Sequence, residues 1–155
     1  MPIKQAYASE RVTREATPPA YGFQPSGDAE RLLSVQVSLG FWSKVAWYAT
    51  FFSDGTLHAD AVGRSPLRRA SAKLTAAELQ RLTEGMTLLE LCRSNVELCT
   101  REDVTDDGAV TFQVWKGPLR GNVIEHYQGS NATPPAFLNY ETFVLKLISL
   151  TLGAH

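Results

Sequence analysis

Alternation of apolar and polar residues begins at residue 32. Leu33, Val35, Val37 and Leu39 are separated by Ser34, Gln36 and Ser38, the period of two expected of a strand with one buried face. After Gly40, the stretch FWSKVAWYATFF (residues 41–52) holds six of the chain's fifteen aromatic residues and reads as a second strand from about Val45 to Ser53. It meets Asp54-Gly55, a pair suited to a tight hairpin turn. On the return, Leu57, Ala59 and Ala61 alternate with His58 and Asp60. In KLTAAELQRLTEGM, Thr75 and Glu78 have the spacing of a capping box, Leu79 and Leu82 begin an apolar stripe, and Gly85 is the expected C-cap. TLLELCRS continues as a turn or a second helical piece.

A second β unit follows. Val96 to about Val104 reads as a weak strand and TDDGA as a turn. Val110, Phe112 and Val114 mark a clearer strand, KGPLRGN turns the chain, and VIEHY closes the unit. A final helix is expected after Thr133, with Pro134 and Pro135 at its start, where a missing N–H costs little. Its buried stripe is Phe137, Tyr140, Val144, Leu147, Ile148 and Thr151, and Phe112 and Phe143 are expected in the core. The order strand, hairpin, helix, hairpin, helix predicts an α+β fold: an antiparallel sheet of five or six strands with helices packed on one face. TPPAY and TPPAF occur once each, a coincidence and not a repeat.

Before residue 30 the pattern is different. Residues 1–29 hold four of the eight prolines, show no period and read as a flexible N-terminal arm. Residues 30–155 form a single globular domain, consistent with 155 residues of which 44% are hydrophobic and 20% charged. A net charge of -1 provides no field for drawing in nucleic acid. No apolar run approaches the roughly 18 residues of a membrane span, and the start lacks an apolar leader core. A cytoplasmic protein is expected, with neither nucleic acid nor membrane as partner. GRSPLRRASAK, with four positive charges and no negative one, reads as a solvated loop or edge strand, or as a patch for an acidic partner.

Candidate chemistry is sparse. Cys92 and Cys99, seven positions apart, allow buried free thiols, a disulfide in an oxidising compartment, or redox or metal chemistry. An EF-hand frame starting at Asp103 places Val114 where the bidentate glutamate belongs, so the acidic run reads as a solvated turn. Asn131 begins an NAT sequon. No metal site, cofactor fingerprint, nucleophile elbow or phosphate loop is found, so neither metal nor cofactor is expected. His58 and His126 read as exposed strand histidines, and Glu125 points opposite to His126.

The segments YATFFSDGTLHADA, LTAAELQRL, DVTDDGAVTFQVW and VIEHYQGS followed by PPAFLNYETFVLKL resemble, over about residues 32–148, a family of small bacterial α+β domains of unknown function. Members typically carry a C-x-G-x-C-P cysteine pair before the first hairpin, where this chain has LGFWSKVAWY without cysteine. The resemblance implies the architecture and a bacterial origin, and carries over no catalytic residue.

The hairpin also suggests a recognition face. A two-residue turn pairs Ser53 with Thr56, Phe52 with Leu57 and Thr50 with Ala59. Tyr48, Thr50 and Phe52 then lie under the helices, and Trp47 and Phe51 lie on the open face with His58, Asp60 and Trp115. Aromatics among polar groups suit protein binding. The first expectation is therefore a non-enzymatic protein-binding module, of inhibitor or immunity type, whose partner is another protein or a second copy of itself. Alternatively the arm or a loop covers this face. The contrasting expectation is a small enzyme with a site assembled from His58, His126 and nearby carboxylates.

Overall fold

The computed structural model describes residues 21–39, 44–62, 67–100, 108–128, 130 and 132–153. Residues 1–20 of the expected arm, the GRSP part of the basic stretch, the acidic run from Arg101 to Asp107, and Asn131 lie outside the described residues.

Among the described residues there are six strands, β1 (Arg31–Leu39), β2 (Lys44–Phe52), β3 (Thr56–Ala61), β4 (Arg68–Lys73), β5 (Ala109–Val114) and β6 (Val123–Tyr127). They form one sheet in the order β4-β3-β2-β1-β5-β6, and every neighbouring pair is antiparallel. Three α-helices accompany it: α1 (Ala76–Gly85), the short α2 (Glu90–Ser94) and α3 (Pro135–Leu152). The α+β expectation holds, with the helices packed on the sheet. The basic stretch supplies edge strand β4. Val96–Leu98 is a 3-10 turn and not the start of a strand, its first amide bonds accepted within a local turn closed by Asn95.

The helix face of the sheet is apolar across β1, β2, β3 and β5. Leu33, Val35 and Val37 of β1 lie beside Phe51, Ala49 and Trp47 of β2 on one side, and beside Val114, Phe112 and Val110 of β5 on the other. Leu57, Ala59 and Ala61 extend these rows into β3, and Ala72 and Ala70 extend them into β4. This alanine patch has little side-chain height, and α3 packs against β3 and β4 there. Phe137, Tyr140, Val144, Leu147, Ile148 and Leu152 are the apolar residues that α3 buries. Thr151, expected in that stripe, is half-buried and instead bonds the Leu147 carbonyl through its hydroxyl. Phe143 is also half-buried, with the Arg81 guanidinium 4.1 Å above its ring.

The Asp54-Gly55 turn differs from the expected one, and the difference reverses β2. Phe51 lies opposite Leu57 and Thr50 opposite His58, so the loop has three residues, Ser53 to Gly55, instead of two. The Gly55 amide donates to Phe52 O, and Gly55 then takes a positive φ of 91°, which is a type I turn closed by a glycine bulge. A one-residue change of register exchanges the two faces of a strand. Phe51 is accordingly fully buried and Trp47 packs against the core, whereas Tyr48, Thr50 and Phe52 take the helix-free face. The expected placement of Trp47 and Phe51 beside His58 and Asp60 is corrected by this turn.

The boundary of the arm also moves. Residues 21–29, expected to be loose, are bonded to the sheet: Ser26 N donates to Asp54 Oδ2, Phe23 N to Ser71 Oγ, and Ser53 N to Glu30 O. Asp54 is the junction of these contacts. It also accepts the Thr56 amide at 3.0 Å and lies 3.3 Å from the Lys73 ammonium. Burial pushes its carboxyl upward, but the Ser26 and Thr56 donors and Lys73 outweigh that and hold it well below the usual carboxylate range.

Helix α1 has the expected Thr75–Glu78 capping box, while Gly85 is its last helical residue and not a left-handed cap. The reason for glycine lies across the core: a Cβ at position 85 would come within 2.2 Å of the Tyr140 ring. That ring is fixed by its hydroxyl, which donates to Leu82 O at 2.7 Å.

Two outcomes follow from these packing constraints. Gly85→Ala gains about 1 kcal/mol of helix propensity but overpacks against Tyr140, so urea denaturation should show a net loss of roughly 1–3 kcal/mol. Asp54→Ala should cost about 1–2 kcal/mol at neutral pH from lost hydrogen bonds. Because the folded pKa of Asp54 is depressed, that difference should be fully present above about pH 4 and vanish as pH falls through the folded value.

Candidate functional site

The helix-free face of the sheet displays two polar rows. Ser71, His58, Thr50, Ser34 and Gln113 form one, and Arg69, Asp60, Tyr48, Gln36, Thr111 and Glu125 form the next. Trp115, just beyond β5, joins the face by donating from Nε1 to Ser34 Oγ at 2.9 Å, and the Arg31 guanidinium lies 3.8 Å over its ring. The structure thus brings His58, Asp60 and Trp115 to one surface and places Trp47 and Phe51 on the other.

Over β3 and β4 this surface is occupied by the chain itself. The ring of Tyr21 stacks on His58 at 3.8 Å with an interplanar angle of 6°, and its hydroxyl donates to Asp60 Oδ1 at 2.7 Å. Burial first, and then the hydrogen bond to Asp60, push the Tyr21 phenol far upward, so it remains a proton donor. Arg69 Nε bonds the same Asp60 oxygen. His58 Nε2 lies 2.7 Å from the Phe23 carbonyl. A carbonyl can only accept, so this nitrogen carries the proton. His58 and Asp60 therefore hold the arm. Beyond them, Tyr48 is 36% and Val123 59% exposed, and Glu125 is exposed.

His126 lies elsewhere. It is on β6, paired with Val110 on the helix face, and is 2% exposed, contrary to the expectation of an exposed strand histidine. Three strands separate it from His58 and the two point to opposite faces, with about 19 Å of sheet between them. The site expected from His58, His126 and shared carboxylates is not assembled.

His126 has partners that the sequence reading did not identify. Nδ1 is 2.6 Å from Glu141 Oε1 and Nε2 is 3.1 Å from Thr133 Oγ1, an order of groups that resembles a catalytic triad. Two observations argue against that role. All three side chains are buried, and the Thr133 hydroxyl is 2.6 Å from Leu98 O, so its proton goes to a carbonyl and not to the imidazole. Ser130 Oγ donates to the same carbonyl. The cluster fastens α3 and the 95–100 segment to edge strand β6. Glu141 on an otherwise apolar stripe was its available sequence signal.

The same segment is anchored covalently. Cys92 and Cys99 form a disulfide, with Cα atoms 5.6 Å apart, and the Cys99 carbonyl accepts the Tyr127 amide at the β6 edge. Among the described residues, no group of three or more His, Cys, Asp or Glu could hold a metal ion. No helix among them is long and apolar enough to cross a membrane.

No known protein-family model matches the chain, and no curated protein matches it.

The two histidines should behave differently when altered. Glu141→Ala, which leaves a buried ring nitrogen without its partner, should cost about 2–3 kcal/mol, whereas His58→Ala should cost about 1 kcal/mol. Equal small losses in urea denaturation would place His126 at the surface. Replacing both cysteines by serine should cost about 2–3 kcal/mol by releasing the closed loop in the unfolded chain.

Proposed function

We propose that this domain is a non-enzymatic module that binds another protein through the helix-free face of its sheet, and that the partner contributes an extended segment. The supporting observation is the seating of residues 21–26. The face already holds a segment of chain there through its main-chain groups, with Ser71 accepting Phe23 N, His58 donating to Phe23 O and Asp54 accepting Ser26 N. The adjoining half carries the same kind of groups. Gln36, Thr111 and Gln113 offer amide and hydroxyl contacts to a main chain, and Tyr48 and Val123 offer exposed apolar surface beside them. Rigid aromatic anchors among adaptable polar groups are the usual composition of a recognition surface.

An inhibitor or immunity-type role of bacterial origin fits such a surface. The Cys92–Cys99 disulfide supports an oxidising compartment for it, in place of the cytoplasm expected from the sequence. Self-association is the competing reading, because a second copy carries the same arm.

The test is to pan a library of linear peptides on the full chain and rank the enriched peptides on Tyr48→Arg and Val123→Asp. Both exposed substitutions should leave the melting temperature within about 2 °C of the parent and weaken binding by about tenfold or more. Equal binding by parent and both variants would remove this reading. A concentration-dependent dimer disrupted by the same variants would favour self-association.

A further inference from the structure

A pocket of about 470 Å³ lies on the helix side at the end of the sheet, between the α1–α2 segment and the turn that joins β5 to β6. Its apolar wall is formed by Leu32, Met86, Val114, Pro118 and Leu119. Irregular backbone shapes both sides. Leu32 is the residue skipped by the register shift between Arg31 and Leu33, a β-bulge, and bulges re-aim side chains next to functional sites. Leu32 O nevertheless keeps a partner in Trp115 N. The opposite wall is a turn fixed by Gly121 N to Val114 O, Arg120 N to Gly117 O and Asn122 N to Leu119 O. Gly117 and Gly121 adopt φ values of 94° and 87° in it.

The polar groups at the rim are already engaged. The Thr83 hydroxyl donates to Leu79 O and the Thr87 hydroxyl to Glu84 O. Both Glu90 carboxylate oxygens accept from Arg93, and the Lys116 ammonium is paired with Glu30. Among the described residues, these pairs leave no charge uncompensated at the rim, so the pocket offers an uncharged ligand apolar contact without a charge to neutralise. The volume falls within the ~300–1,000 Å³ of small-molecule sites.

We propose that this pocket binds a small, uncharged, largely apolar organic molecule. This site is separate from the open sheet face and does not depend on the function proposed for it.

The test uses the full chain and the neutral fluorophore N-phenyl-1-naphthylamine. Its emission should rise saturably with one probe per chain, and the affinity should not change between low and high salt, because no ion pair is formed. Thr83→Trp and Thr87→Trp place an indole at exposed helical positions on the rim. Each should weaken probe binding by about tenfold while keeping the melting temperature within about 2 °C. Val123→Asp, on the opposite face, should bind the probe as the parent does. The proposal is overturned if binding does not saturate, if both folded tryptophan variants bind as tightly as the parent, or if Val123→Asp removes binding.

Discussion

The turn from Ser53 to Gly55 is the constraint on which the rest of the sheet depends. With three residues in the loop, Phe51 faces Leu57, and the strongly apolar row Trp47, Ala49, Phe51 is placed with the apolar rows of β1 and β3. With two residues, Thr50 would enter the core and Phe51 would leave it. Burying a phenylalanine is worth about 1.5–3 kcal/mol, and a buried hydroxyl without a partner costs about 1–3 kcal/mol. Both terms favour the longer loop. Asp54 fixes that loop, and because it also holds Ser26 and Lys73, the turn that sets the register also seats the arm and the edge strand.

Much of the fold was legible because it rests on periodic signals. β1, β5 and the buried stripe of α3 each repeat a pattern several times, so one ambiguous residue does not disturb them, and the capping box of α1 is a specific pair at a fixed spacing. The faces of β2 were misjudged because the reading relied on one local motif, Asp-Gly, whose loop length is degenerate. The strand's own rows held the better evidence: Trp47, Ala49 and Phe51 are more apolar than Tyr48, Thr50 and Phe52. The neighbouring strand agreed, since Ser34 and Gln36 must lie beside Thr50 and Tyr48 whenever Val35 is buried. Gly85 was misread for a related reason. Helix-end glycines usually serve as caps, but this one makes room for a tyrosine that is 55 residues further along the chain.

The candidate site was less legible than the fold. His58, Asp60 and Trp115 were expected on the open face and do lie on the helix-free side, but Tyr21 was assigned to a loose arm because prolines and absent periodicity surround it. Its role rests on one stacked ring and one hydrogen bond, contacts that leave no period in a sequence. The cluster of His126, Glu141 and Thr133 was hidden in the same way, since its members come from β6, α3 and the loop before α3. Only tertiary structure brings them together.

The distribution of polar groups between the two faces bears on what the molecule can do. On the helix side, His126, Glu141, Thr133 and Ser130 satisfy one another or a backbone carbonyl, and among the described residues no buried side-chain polar atom lacks a partner. Such groups fix the packing of α3 on β6. On the other side, His58 bonds the Phe23 carbonyl and Asp60 accepts the Tyr21 hydroxyl. The groups beside them, from Gln36 to Glu125, are of the same type and lie in register with them across the sheet. Side-chain bonds to main chain thus lie on the helix-free face, and the buried polar cluster lies on the other.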